Sequence, residues 1–198
     1  NSFFYMTNES SPNNITICSP GSGGSLAGCI NEELNGFSSA SGIAFYSSNA
    51  YISDYISSTL TICNVETNGS LTGCNKDTSS TANLLSAPQG LTTNGGYLYI
   101  PNYTANNVTI CSIAGTNLSN CSNQNANGLL HGPTTIKFNN SYAYIPNFES
   151  NNITICLVGN GGGLTGCANQ SLTGLDGAEG ITFNNSSGYI TNYSGNNI

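Results

Sequence analysis

YIPNYTANNVTIC, residues 99–111, decides how the rest of the chain is read, because it comes back. YIPNFESNNITIC fills 144–156, YISDYISSTLTIC fills 51–63, and YMTNESSPNNITIC fills 5–18. YITNYSGNNI (189–198) repeats the first part once more. Aligned on Tyr5, Tyr51, Tyr99, Tyr144 and Tyr189, the copies are 46, 48, 45 and 45 residues apart. Self-similarity at such a period marks a repeat architecture and outranks any local propensity.

Two further motifs recur on either side of this stretch. After it comes Leu-x-x-Cys: SLAGC (25–29), SLTGC (70–74), NLSNC (117–121) and GLTGC (163–167). Before it comes GIAF (42–45), GLTT (90–93), TIKF (135–138) or GITF (180–183). Each unit therefore holds four short β-branched or aromatic segments bounded by Gly, Asn and Ser, which predicts four strands. No sustained helical period is present. Four short strands in about 45 residues match a β-propeller blade, a small sheet that needs neighbours to cover its faces. The expected fold is all-β. It is one propeller domain over 1–198, with repeats near 1–41, 42–89, 90–134 and 135–179 and a partial fifth at 180–198. An open superhelical array of the same repeats is the alternative.

The YIxNYxxNNITIC pattern resembles the YVTN repeats of β-propellers, relatives of the NHL-type propellers. In that family a Tyr-Val-Thr-Asn strand is followed by Asn-Thr-Val-Ser-Val. The resemblance runs through the whole chain, repeat by repeat, and implies a propeller. It implies no activity, since propellers host enzymes, binders and scaffolds alike. Paired cysteines depart from the family pattern and are similar to those of bacterial secreted or surface repeat proteins.

The eight cysteines fall as Cys18/Cys29, Cys63/Cys74, Cys111/Cys121 and Cys156/Cys167, one pair per unit. Eight cysteines allow about 105 pairings, but the repeat favours a bridge within each unit, between its third and fourth strands. A metal reading lacks CxxC spacing, and the single His131 cannot serve four sites. Loops of this size stabilise by roughly 3 kcal/mol each. Four such bridges imply an oxidising compartment, so the chain is expected to be extracellular or at a cell surface.

Composition removes several function classes. Charged residues make up 6%, the net charge is −7, and only Lys76 and Lys137 are positive. Nucleic acid needs clustered Lys and Arg. A basic amphipathic helix for membranes is missing, and no apolar run reaches the ~20 residues that span a bilayer. Thirteen Asn-x-Ser/Thr sequons begin at Asn8, Asn14, Asn68, Asn102, Asn107, Asn117, Asn120, Asn139, Asn152, Asn169, Asn184, Asn185 and Asn192. Composition alone generates many of these. Asn8, Asn102 and Asn192 share one repeat position, and Asn14, Asn107 and Asn152 another. These six are the expected glycan acceptors, at turns facing solvent.

No catalytic set emerges. Glu32 and Glu33 read as a solvated, irregular linker. Asp176 and Glu179 in GLDGAEG lack the dense alternation of calcium loops. His131 has no partner in sequence. GNGGGLTG (159–166) lacks the Lys and helix of a phosphate cradle and reads as a hairpin loop. No enzyme activity, cofactor or metal is expected. Tyr5, Tyr51, Tyr99, Tyr144 and Tyr189 begin the second strand and Tyr55, Tyr103 and Tyr193, with Phe148 at the same place, end it. Strand alternation puts both sets on one face, and they read as packing between blades or as an aromatic platform at the rim.

The first Tyr-Ile-x-Asn copy has no first strand before it, and the last stops at Asn196-Asn197-Ile198 where TIC would follow. One reading is a ring in which the final first strand closes the first blade. The other is a window on a longer array, and a start at Asn1 without a signal peptide fits a processed product or fragment. Both leave strand edges suited to head-to-tail contact. The expected function is therefore an extracellular structural protein. It would be a subunit or segment of a secreted fibre or surface layer, assembling with itself and carrying N-glycans. An adhesin- or lectin-like binding module using one propeller face is the alternative.

Overall fold

Each Tyr-Ile-x-Asn segment becomes a strand, an inner one in the three four-stranded sheets and an edge strand in the first and last sheets. The computed structural model describes residues 3–9, 14–34, 36–185 and 187–194. Its strands form five antiparallel sheets, each a meander in chain order. The first holds β1 (Phe4–Thr7), β2 (Asn14–Pro20) and β3 (Leu26–Glu33). The second holds β4 (Ala40–Tyr46), β5 (Asn49–Asp54), β6 (Thr59–Val65) and β7 (Leu71–Lys76). The third holds β8 (Thr92–Asn94), β9 (Tyr97–Asn102), β10 (Asn107–Ala114) and β11 (Asn117–Gln124). The fourth holds β12 (Lys137–Asn139), β13 (Tyr142–Asn147), β14 (Asn152–Val158) and β15 (Leu164–Gln170). The fifth holds β16 (Ala178–Asn184) and β17 (Ser187–Asn192). β16 pairs with β17 and not with β1, so the ring-closing pairing expected above is not the one adopted. The stop at Asn196-Asn197-Ile198 lies outside the described residues.

Strand alternation distributes the apolar side chains to both faces of each sheet. Along β9, Tyr99 enters the core between the third and fourth sheets, beside Val108, Ile136 and Ile145. Its neighbours Leu98 and Ile100 point the other way, toward Tyr51, Leu60 and Leu91 of the adjoining core. A third core joins Ile15 and Ile17 to Ala50, Ile52 and Leu71. The interior is thus a series of slabs between sheets, and each repeat is stable only through its neighbours.

The bridges run within units, Cys18–Cys29, Cys63–Cys74, Cys111–Cys121 and Cys156–Cys167, from the third strand to the fourth. The pairing register shifts at each bridge. The residue before the second cysteine takes up that bulge with a positive φ: Gly28 (57°), Gly73 (57°), Asn120 (50°) and Gly166 (56°). Glycine tolerates this conformation freely and asparagine is the next best choice, which explains Leu-x-Gly-Cys and its one Asn variant. Glu32 and Glu33 are corrected from linker to strand, since they end β3. No helix among the described residues is long and apolar enough to cross a membrane.

Candidate functional site: the aromatic rim of the loop face

The fourth residue of the Tyr motif builds this face. Its side-chain oxygen accepts the backbone N–H of the residue sixteen positions earlier, in the loop that enters the sheet. Asp54 accepts Ser38 N–H at 2.6 Å, Asn102 Ser86 at 3.1 Å, Asn147 His131 at 3.0 Å and Asn192 Asp176 at 3.0 Å. Nδ2 of the asparagine then donates into the next strand. Asn102 reaches Asn107 Oδ1 (2.7 Å) and Thr109 Oγ1 (2.8 Å), and Asn147 reaches Asn152 Oδ1 (2.8 Å) and Thr154 Oγ1 (2.7 Å). Asn8 donates likewise to Asn14 and Thr16. Asp54 has no N–H to give and instead collects Ser39 and Ser57 amides as well.

The placement of the six expected acceptor asparagines at solvent-facing turns is therefore corrected. Asn102 is 0% exposed and Asn14 5%. Asn8, Asn107, Asn152 and Asn192 are half-buried. Their side chains are structural, tying strand to strand and loop to sheet. A buried amide with several partners is costly to release.

The turn after the motif carries the rings. Tyr55, Tyr103, Phe148 and Tyr193 form one row across four sheets, with centroids 6.4, 6.0 and 5.7 Å apart and planes tilted by about 60°. The first three are half-buried and Tyr193 is 66% exposed. Their backbone N–H groups are fixed on the carbonyls of Ser39, Ala87, Gly132 and Gly177. Neighbouring units are stitched at the same level: Ser58 Oγ accepts Ala87 N–H, Asn106 Oδ1 accepts Gly132 N–H, and Asn151 Oδ1 accepts Gly177 N–H. Gly132 and Gly177, at φ 61° and 66°, lie between successive rings, where a Cβ would meet Tyr103 and Glu149 or Phe148 and Tyr193. Burial raises the Tyr103 pKa first, and the nearby Glu149 carboxylate, a hydrogen-bond partner, raises it further. Glu149 and Asp176 are exposed carboxylates beside the row.

Of the motif tyrosines, Tyr51 and Tyr99 are fully buried, Tyr5 and Tyr144 are half-buried, and Tyr189 is 46% exposed. Tyr5 donates its hydroxyl to Gly69 O (2.7 Å) and Tyr99 to Gly162 O (2.9 Å), each in the next sheet's hairpin. Burial pushes Tyr99 up to about 12. The GNGGGLTG loop is thus a docking element for Tyr99. Tyr51 has no such partner and is fully buried. The hairpin it faces is a two-residue turn, Gly115-Thr116, and Asn49 Nδ2 donates to Gly115 O.

Other candidates resolve into structure. Glu32 accepts the Leu71 N–H of the next sheet at 3.0 Å, and Gln124 does the same for Leu164 at 2.8 Å. Both sit three residues after the second cysteine, a shared offset that could have identified them in the sequence. His131 is exposed, and its carbonyl accepts the Glu149 N–H. Among the described residues no three His, Cys, Asp or Glu side chains gather as a metal site.

No known protein-family model matches the chain. No curated protein matches it either. Solved structures do. A protein named as a 6-phosphogluconolactonase from Bacteroides uniformis is 13% identical, with a TM-score of 0.68, over 96% of this chain and 60% of that one. A nidogen/laminin complex gives 20% identity and a TM-score of 0.69 over 96% and 67%. The periplasmic gluconolactonase of Pseudomonas aeruginosa gives 12% and 0.69 over 91% and 56%. The fold is a β-propeller. The chain spans between just over half and two-thirds of the length of these structures. The expectation that the chain is no enzyme is corrected by the same likenesses. Two of the three share its architecture and are named as lactonases, so this fold does not set the chain apart from enzymes.

Proposed function

We propose that this chain is part of an extracellular β-propeller built of YVTN-like repeats, and that it binds a partner through the rim Tyr55–Tyr103–Phe148–Tyr193. The observation that carries this reading is the row itself. Four rings lie side by side on the loop face, partly open to solvent, while the loops beneath them are pinned by buried asparagines. Rigid aromatic side chains offer large contact area at little entropic cost, and binding sites concentrate on loops held by a stiff scaffold. The four disulfides support an oxidising compartment. A propeller of similar shape in a nidogen/laminin complex gives a precedent for the reading. The test is a panel of immobilised neutral oligosaccharides and cationic peptides, titrated with wild type, Tyr103→Ala and Tyr193→Ala. The reading predicts a ligand whose affinity falls at least about tenfold in both variants, the loss of one anchoring ring. Binding that survives both changes, or no binding anywhere on the panel, contradicts it.

A second reading, head-to-tail assembly into a fibre or surface layer, draws on the outer face of the first sheet. Phe4, Met6 and Leu26 are 50%, 42% and 47% exposed, while their counterparts Leu98, Ile100 and Leu118 are buried beneath a neighbouring sheet. The occupant proposed for this face is the last sheet of a second copy. Sedimentation over a range of concentrations tests it: growing oligomers support assembly, and a monomer throughout refutes it.

A further inference from the structure

Thirteen sequons compete for one chemistry, and the fold engages or buries several of them. An N-glycan replaces a hydrogen on asparagine Nδ2, so an acceptor in the folded protein needs that nitrogen exposed and unengaged. Asn102 is buried with Nδ2 shared among Leu84 O, Asn107 Oδ1 and Thr109 Oγ1, and Asn8 Nδ2 donates to Asn14 and Thr16. Asn169 Nδ2 donates to Leu129 O at 3.2 Å. Asn117 and Asn120 lie within the paired strand β11, and Asn120 adjoins the Cys121 bridge. The sequons at Asn184 and Asn185 include Ser186, which is outside the described residues.

Asn68 is different. It is exposed at the tip of the hairpin between β6 and β7. Its Oδ1 accepts Ser70 N–H (3.0 Å) and Ser70 Oγ–H (2.8 Å), which turns the sequon outward on itself. Among the described residues its Nδ2 has no hydrogen-bond partner.

We propose that Asn68 is an N-glycan acceptor of this chain. Nδ2 attacks the anomeric carbon of an oligosaccharide carried on a lipid pyrophosphate. The N–C bond forms as the C–O bond to the pyrophosphate breaks, the lipid pyrophosphate leaves, and the amide proton passes to a base of the transferase. Transfer precedes docking of the first two sheets. In the folded chain Gly69, the middle of the sequon, is held by the Tyr5 hydroxyl on its carbonyl, and the Phe3 ring sits where its Cβ would be. The sugar then stands outward from the hairpin, away from the aromatic rim.

The full chain, secreted from a glycosylating eukaryotic host, supplies the test. After reduction and alkylation of the Cys63–Cys74 bridge, cleavage after Glu66 and Asp77 isolates peptide 67–77, which is weighed before and after enzymatic N-glycan release. The proposal predicts a glycan on this peptide, conversion of Asn68 to Asp on release, and a peptide around Asn102 that carries none. Asn68→Gln and Ser70→Ala each abolish the glycan, and Ser70→Ala does so with Asn68 still present. A bare 67–77 peptide in the secreted wild-type chain overturns the proposal, wherever else sugar is found.

Discussion

Tyr51 and Tyr99 occupy the same repeat position, yet only one has a partner for its hydroxyl. Tyr99 donates to Gly162 O, while Tyr51 is buried with none. Tyr99→Phe should therefore cost about 1–2 kcal/mol, because it removes a made hydrogen bond and leaves a buried carbonyl short of a donor. Tyr51→Phe should be neutral or stabilising, because it removes only a desolvated polar group. Urea unfolding of both variants checks the contrast, and equal losses would count against it. The sequence distinguished neither tyrosine. The difference lies in the facing hairpin, five residues in one unit and two in the other, and a one-dimensional reading does not say which hairpin faces which tyrosine. The motif asparagines were misread for a related reason. Their partners are backbone N–H groups sixteen residues upstream, so the contacting residues Ser86, His131 and Asp176 share no side-chain signature.

At the scale of elements, strands were legible and their connections were not. β-Branched and aromatic runs marked the strand segments well, and Leu-x-Gly-Cys marked the bridge. The loop after β7 shows what was missed. Burial raises the Asp77 carboxyl, but hydrogen bonds from Ser80, Thr81 and Ser79 outweigh it and hold the pKa below the usual value. A depressed folded pKa means that the stabilisation is present above the unfolded value, near ~3.9, and is lost as pH falls through the folded one. Stability should thus drop on acidification below about pH 4, and Asp77→Asn should flatten that part of the profile while lowering stability at neutral pH. Unfolding midpoints measured against pH test this, and an unchanged acid limb would refute it. Removing one bridge as the pair Cys111→Ser and Cys121→Ser should lower stability by about 3 kcal/mol, read from denaturant midpoints of the otherwise oxidised chain.

Across the whole molecule, the period fixed the number of sheets and their internal order, since each unit repeats the same four segments. It did not fix how sheets meet. That depends on which face of each strand turns to which neighbour, and the answer came from packing: motif tyrosines point one way along the array, and flanking Leu and Ile point the other. The same arrangement lines up Tyr55, Tyr103, Phe148 and Tyr193, a row that no single repeat contains. The rim therefore depends on the asparagine locks beneath it. They are tested most directly by urea unfolding of Asn102→Ala and Asn147→Ala beside Asn68→Ala, all with disulfides intact. Losses of about 2–3 kcal/mol are expected for each of the first two, which strand buried backbone and side-chain partners, and less than about 0.5 kcal/mol for the exposed hairpin tip. Three equally small losses would show that the motif asparagines lock nothing.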